Sequence, residues 1–308
     1  MSESRNIILT SVQGADFDYI APFILSLKRT GYAGRLIVFA SAMKGDAVAQ
    51  LEGHGATVIP FKFIPKRLRK TAAWPWFLWR RYLTANARSA FKEKLTHLVL
   101  PFFYRRHLLY LEFLREHHAE FDRFFVTDAR DVYFQADPFS WPAGGGLHFF
   151  LEEPANTIGS SNLKKNWTEN QFGRREVAGQ LDQVVSCAGT VFGDAGGMLS
   201  YSTGIVGLTL RAKRLRKIVQ DDQGVHNYLL RENLLPSVTI HENRRGAVLT
   251  AGIMRMADFQ MNRLGQLVDE TGRVIPVVHQ YDRIPELKKH LLAQLRQATA
   301  SMTKIIGR

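Results

Sequence analysis

An α/β fold built on a parallel sheet is what this chain predicts, and two stretches of it carry the prediction. In the first sixty or so residues, apolar runs alternate with segments of helical spacing. Residues 7–12 read as a buried strand. Residues 17–30 read as a helix with Ile20, Phe23, Ile24 and Leu27 on one face, closed by Gly31. Residues 35–41 form a second strand, 43–51 a helix ending near Gly53 and Gly55, and 57–61 a third strand. Such a rhythm is that of right-handed βαβ units. Further on, Phe124-Phe125-Val126 has the aromatic and β-branched bias of a buried strand, and it ends abruptly in two carboxylates, Asp128 and Asp131.

That ending is the feature around which the rest is arranged. In open α/β sheets, ligands sit beyond the carboxyl ends of the strands. Two acids there can hold a divalent cation through oxygen, and the cation can hold phosphate. A plain turn is the competing reading, with Asp128 capping the next segment and Arg130 pairing with Asp131 or Asp137. At the ends of the amino-terminal strands, Thr10, Ser11 and Gly14 are candidates to touch a base or ribose, or serve only as a strand-to-helix loop.

The segments between these landmarks differ in character. Residues 62–82 interleave Lys62, Lys66, Arg67, Arg69, Lys70, Arg80 and Arg81 with Phe63, Trp74, Trp76, Phe77 and Trp79. Such a mixture suits a membrane interface, a nucleic-acid surface, a sugar-stacking platform or a helix pair packing its aromatics inward. Residues 98–118 have helical spacing and lead into the Asp128 strand. Residues 147–151 are another strand, ending in Glu152-Glu153. Residues 158–180 are polar and read as a long excursion anchored by Trp167 and Phe172. Residues 184–193 form a strand interrupted by small residues, which admit a ligand or a second backbone at close range. Residues 196–219 are helical, with basic residues towards the C-terminal end where the helix dipole favours them.

Asp222, before a helix at 225–231, reads as an N-cap or, with Gln223, as a hydroxyl-binding pair. An apolar run from Val274 ends in the polar group His279-Gln280-Tyr281-Asp282-Arg283. With an acid pair elsewhere short of a third ligand, His279 is a metal candidate. From Glu286 onward the chain is a basic amphipathic helix, suited to capping the domain or lying on anionic lipid.

Bulk properties narrow the classes. The net charge is +13, from 41 Lys and Arg against 28 Asp and Glu, which favours anionic partners without choosing among them. The single cysteine, Cys187, excludes an intrachain disulfide and has no base partner close in sequence. The opening residues lack the pattern of a secretory signal and no apolar run is long enough to span a bilayer, so a cytoplasmic protein is expected. No Gly-x-Gly-x-x-Gly follows the first strand, and Walker and His-Glu-x-x-His motifs are absent. Asn166-Trp167-Thr168 formally matches a glycosylation sequon.

Taken together, these segments resemble glycosyltransferases of the GT-A type. The similarity is to bacterial and plant proteins with a TD-x-RDV-x-FQ-x-DPF segment, here residues 127–139, and a late VHQYDR segment, here 278–283. Ser186 to Thr190, Asp222 to Asn227, Ala21-Pro22-Phe23 and Gly31-Tyr32 also match in order, so the likeness spans roughly 7–285. The resemblance implies a Rossmann-like, mixed and mainly parallel sheet flanked by helices. It implies one catalytic domain over 1–285, with a nucleotide-binding half to about 139 and an acceptor half beyond, then a separate helix over 286–308. The implied reaction moves a sugar from a nucleotide-diphosphate donor to a glycan or glycolipid acceptor, with retention preferred to inversion. Asp128, Asp131 and His279 would bind Mn²⁺ or Mg²⁺. Cys187, Ala188, Gly189 and Thr190 would flank the donor sugar. Asp222 and Gln223 would bond donor or acceptor hydroxyls, and Arg130 and Arg283 would add positive charge near the phosphates. The acids here are spaced Asp-x-x-Asp rather than Asp-x-Asp, which leaves open which acid binds metal directly.

Two other classes fit parts of the pattern. A phosphohydrolase of the haloacid-dehalogenase type also places Asp after a buried strand, but its second Asp falls where Arg130 stands. A non-catalytic binding protein would use the basic aromatic segment for membrane or nucleic acid. The transferase reading makes peripheral contact with the inner membrane face its expected association and leaves nucleic acid aside.

Overall fold

The computed structural model of the chain describes residues 5–62, 102–211 and 222–306. The basic aromatic segment, apart from Lys62, therefore lies outside the described residues, as do the first residues of the 98–118 helix and the last of the 196–219 helix.

The amino-terminal third folds as its apolar pattern requires. Strand β1 (Asn6–Gln13), helix α1 (Phe17–Arg29), strand β2 (Arg35–Ser41), helix α2 (Ala47–Gly53) and strand β3 (Ala56–Pro60) follow in order. Asp16 starts α1 by accepting the Tyr19 amide at 3.1 Å, and Gly31, at φ +74°, turns the chain out of it. Helix α3 (Phe102–His117) then leads into β4 (Arg123–Thr127). The short β5 (Val132–Phe134) and β6 (Leu147–Leu151) come next. Where a polar excursion is expected, the chain forms helices α4 (Asn162–Phe172) and α5 (Arg174–Val177). Few apolar side chains mark α4; one that does, Phe172, stacks on Tyr228 with ring centroids 3.7 Å apart. The side chain of Trp167 lies outside those described. Strand β7 (Ser186–Asp194), helix α6 (Ala195–Arg211), helix α7 (Gln223–Arg231), strands β8 (Val238–His241), β9 (Val248–Thr250) and β10 (Val277–His279), and helix α8 (Pro285–Ile306) complete the order.

Seven strands form the main sheet in the order β3-β2-β1-β4-β7-β6-β8. Pairing is parallel from β3 through β4; β7 alone runs against its neighbours, and β8 lies parallel to β6. The fold is thus α/β with a mixed, mostly parallel sheet. After β3 the chain returns across β1 and places β4 on its other flank, so β1 and β4 bound the switch point where such sheets bind ligands. Burial follows from this layering. Ile7 and Leu9 pack on one face with Tyr104, Leu108 and Leu111 of α3, while Ile8 and Val12 pack on the other with Ile20, Phe23 and Ile24 of α1.

A second sheet, β5-β10-β9, stands beside the first. Its strands are three residues each; β10 falls within the strand expected from Val274, whereas β5 and β9 are not among the expected strands. Leu287, Leu291 and Leu295 of α8 are buried with Tyr133, Leu249 and Val278 of this sheet. Capping, one of the two roles expected for the C-terminal helix, is what these leucines do. Among the described residues no helix is long and apolar enough to cross a membrane.

Candidate functional site

The two sheets meet at Asp128–Asp131, and the meeting point builds the site. Strand β4 runs its ladder against β7 as far as Thr127↔Thr190, and the Asp128 amide adds one more bond to the Gly189 carbonyl at 2.9 Å. Because β7 is reversed, its beginning rather than its end lies at this rim, which brings Cys187, Ala188 and Gly189 beside Asp128. Four residues after Asp128 the chain enters β5, where Val132 pairs with His279. The Gln280 amide donates to the Asp131 carbonyl at 2.7 Å, and Gln280 takes a left-handed φ of +58°, turning the chain away directly after His279.

Asp128, Asp131 and His279 thereby offer one ligand atom each within 4.8 Å of one another. His279 is 1% exposed, and its Nε2 stands 3.7 Å from Asp128 Oδ2 and 3.7 Å from Asp131 Oδ1. That nitrogen is buried and makes no hydrogen bond. The other atom of each group is held from behind. Asp128 Oδ1 accepts from Arg106 Nη1, Asp131 Oδ2 accepts from Arg130 Nη2 at 3.0 Å, and His279 Nδ1 lies 3.4 Å from Cys187 Sγ. At Gly189 a Cβ would fall 2.5 Å from Asp128 Oδ2 and 2.9 Å from His279 Cε1, so this strand position must be glycine for the acid and imidazole to approach.

The electrostatics match that geometry. Burial would raise the Asp128 pKa, but Arg106 and His279 outweigh it and hold the carboxyl well below its ordinary range. Burial disfavours a charged His279, yet the Cys187 sulfur and the facing Asp128 and Asp131 carboxylates bring its pKa well above that of a free imidazole. Burial pushes the Cys187 thiol up, over the opposing pull of His279. Two carboxylate oxygens and an imidazole nitrogen without a hydrogen bond lie close enough together to hold a metal ion. A divalent cation of the Mn²⁺ or Mg²⁺ type fits that donor set.

A cavity of about 610 Å³ opens from this point. Of the residues expected at a site, Ser11, Asp128, Arg130, Asp131, Cys187, Ala188, Gly189, Asp222, Gln223, His279 and Arg283 line it. Three do not. Thr10 is fully buried and donates its hydroxyl to the Thr127 carbonyl at 2.7 Å, tying β1 to β4. Gly14, at φ +67°, is a turn residue whose amide bonds Ser41. Thr190 is fully buried in the β7 ladder.

Asp222 stands at the N-cap position of α7 but does not cap it through its side chain. Its carboxylate instead accepts from Arg106 Nε at 2.9 Å and Nη2 at 2.7 Å, and meets His107 Nε2 at 2.5 Å. Arg106, 6% exposed at its side chain, thus joins Asp128 to Asp222. Burial raises the Asp222 pKa, and Arg106 and His107 more than reverse it. Gln223, next along, points Nε2 at Glu152 Oε1 3.4 Å away. Arg106 and His107 are site residues that sequence reasoning missed. Cys187, which has no base partner nearby in sequence, has one in space in His279.

Compared with known proteins, the chain matches no family model, and no curated relative is similar to it.

Proposed function

We propose that this protein is a metal-dependent glycosyltransferase of GT-A architecture, taking a sugar from a nucleotide diphosphate and passing it to a glycan or glycolipid. The observation that carries the reading is the convergence of Asp128, Asp131 and the unbonded Nε2 of His279 at the switch point of the sheet, on the floor of a cavity. Those three residues would hold Mn²⁺ or Mg²⁺, whose Lewis acidity stabilises charge on a departing diphosphate. Arg130 and Arg283 line the same cavity and are assigned to the phosphates. Ser11, Val12 and Gln13, at the end of β1, form the wall assigned to the nucleoside. Ala188 and Gly189 carry little or no side chain, which leaves room for the sugar over the start of β7.

The role of Asp222 follows from its partners. With its carboxylate committed to Arg106 and His107, it acts as an anchor that aims Arg106 at Asp128. Gln223 is the residue assigned to donor or acceptor hydroxyls. Retention is the preferred course, resting on His279 and the Asp222-Gln223 pair, both beside the cavity. The chain's excess of basic residues suits an anionic acceptor, including one at a membrane face.

The test is release of free nucleotide from a panel of sugar nucleotides with Mn²⁺. Turnover that needs Mn²⁺, and that Asp131→Asn removes with the fold intact, supports the reading. A panel in which no sugar nucleotide binds or reacts overturns it.

A further inference from the structure

We infer that Cys187 is a positioning residue: its sulfur accepts the Nδ1 hydrogen of His279, fixing the tautomer in which Nε2 carries a lone pair towards Asp128 and Asp131. The inference rests on the metal reading above and goes beyond it, because that reading is indifferent to how the imidazole is held.

An imidazole ligates only through an unprotonated nitrogen, and which nitrogen that is depends on the bond made by the other. In His279 the two nitrogens face different surroundings. Nε2 faces two carboxylate oxygens at 3.7 Å and makes no hydrogen bond. Nδ1 faces Cys187 Sγ at 3.4 Å. Cys187 is 2% exposed and follows Ser186 in β7, which pairs with Leu151 of β6 and donates its amide to Asn227 Oδ1 at 2.8 Å, so the sulfur stands on held backbone. The sulfur also has a second neighbour: the Gln280 amide lies 3.9 Å away, with its Oε1 buried and otherwise unpaired. Turned over, that amide would take the thiol hydrogen, leaving a sulfur lone pair for Nδ1–H.

The arrangement completes a pattern. Each of the three converging groups has one atom turned inward and one held from behind: Asp128 by Arg106, Asp131 by Arg130, His279 by Cys187. The first two holders are cations, each bonded to the outward oxygen of the carboxylate it backs. Sulfur is the matching choice for an imidazole, since it accepts a hydrogen without adding charge that competes for the ion. A carboxylate behind His279, the commoner device, would place a third negative group in the same buried space.

The experiment measures Mn²⁺ affinity directly, by the electron-paramagnetic-resonance signal of free Mn²⁺, on the full chain without substrate. Wild type is compared with Cys187→Ala, Cys187→Val, Cys187→Ser and His279→Ala. Cys187→Ala and Cys187→Val should weaken Mn²⁺ roughly 10- to 100-fold, the usual cost of losing such a partner. Cys187→Ser, whose hydroxyl still accepts from Nδ1, should recover most of that loss. Nitrogen-15 spectra of the histidines in the metal-free protein, at a pH where His279 is neutral and with His279→Ala for assignment, should show Nδ1–H in wild type and Cys187→Ser and a mixture of tautomers in Cys187→Val. Unchanged Mn²⁺ affinity in a folded Ala or Val variant overturns the positioning role and leaves the metal site standing. A wild type that takes up no Mn²⁺ overturns both. Equal loss in Ser, Ala and Val also overturns it, since packing alone would then account for the sulfur.

Discussion

Two buried histidines, His226 and His279, lie on opposite sides of the start of β7, and they are treated differently by their surroundings. His226, on α7, is fully buried with both nitrogens bonded, Nδ1 to the Tyr201 hydroxyl at 2.9 Å and Nε2 to the Ser186 hydroxyl at 2.8 Å. His279 is buried to the same degree, yet its Nε2 is left facing two carboxylates. A buried polar atom without a partner costs about 1–3 kcal/mol. The first histidine is a packing element whose polarity has been satisfied. The second has a nitrogen that makes no hydrogen bond and is turned towards two carboxylates. Burial does not distinguish the two histidines; the bonding of the second nitrogen does.

The largest effect that bears on this contrast concerns Arg106, which joins the two regions by holding Asp128 and Asp222 together. Arg106→Met strands the buried Asp222 carboxylate and takes a cation from the part-exposed Asp128, and unfolding in urea should show a loss of about 3–5 kcal/mol. Adding Asp222→Asn should return part of that loss, because the stranded charge is then gone. If the double variant is no more stable than the single one, Asp222 is not the anchor described above.

Next comes the unbonded nitrogen itself. His279→Ala should lower Mn²⁺-dependent sugar-nucleotide turnover by ~10²-fold or more, the scale expected when a group stabilising transition-state charge is lost. His226→Gln, in the satisfied region, should leave turnover within a few-fold. Comparable losses in the two variants would erase the distinction.

The satisfied histidine has its own signature in pH. Burial lowers the His226 pKa from 6.5 to about 3, Asp222 opposing. The unfolded chain therefore takes up a proton below pH 6.5 that the folded chain refuses until about pH 3, so this contribution to stability is whole above pH 6.5 and shrinks as pH falls. Between pH 7 and pH 5 the wild type should lose about 2 kcal/mol more than His226→Gln does. Equal slopes for the two proteins would mean that His226 is charged in the fold. Smallest of all, Ser186→Ala leaves His226 Nε2 unbonded like that of His279, and should cost about 1 kcal/mol without altering Mn²⁺ affinity.

What could be read from the chain divides along physical lines. Strands β1, β2 and β3 were legible because parallel strands buried on both faces are continuous apolar runs with glycine turns between them. Asp128, Asp131 and His279 were legible because polar groups stand out at the ends of such runs. Arg106 and His107 were not. They sit in the middle of α3, between Tyr104 and Leu108, and charged residues inside an apolar helix look like its solvated face. What makes them internal is Asp222, 116 positions from Arg106, and no local pattern records that distance. The reversed direction of β7 was also invisible, since a buried strand reads the same in both directions. Asp222 illustrates a half-read residue: its position at the start of α7 was clear, while its bonds to α3 decide what it does.

The pairing of β10 with β5 carries one more implication. His279 reaches the acids only because it is opposite Val132, and the register is held by three residue pairs. Side chains alternate along a strand, so sliding β10 by a single residue would present Val278 to the acids and bury the imidazole on the far side. The small sheet is therefore a phase-setting device. One residue inserted between Ile275 and Val277 would draw the imidazole away from Asp128 and Asp131 while the seven-stranded sheet stayed whole, so the small sheet can lose its phase without the large one losing its architecture.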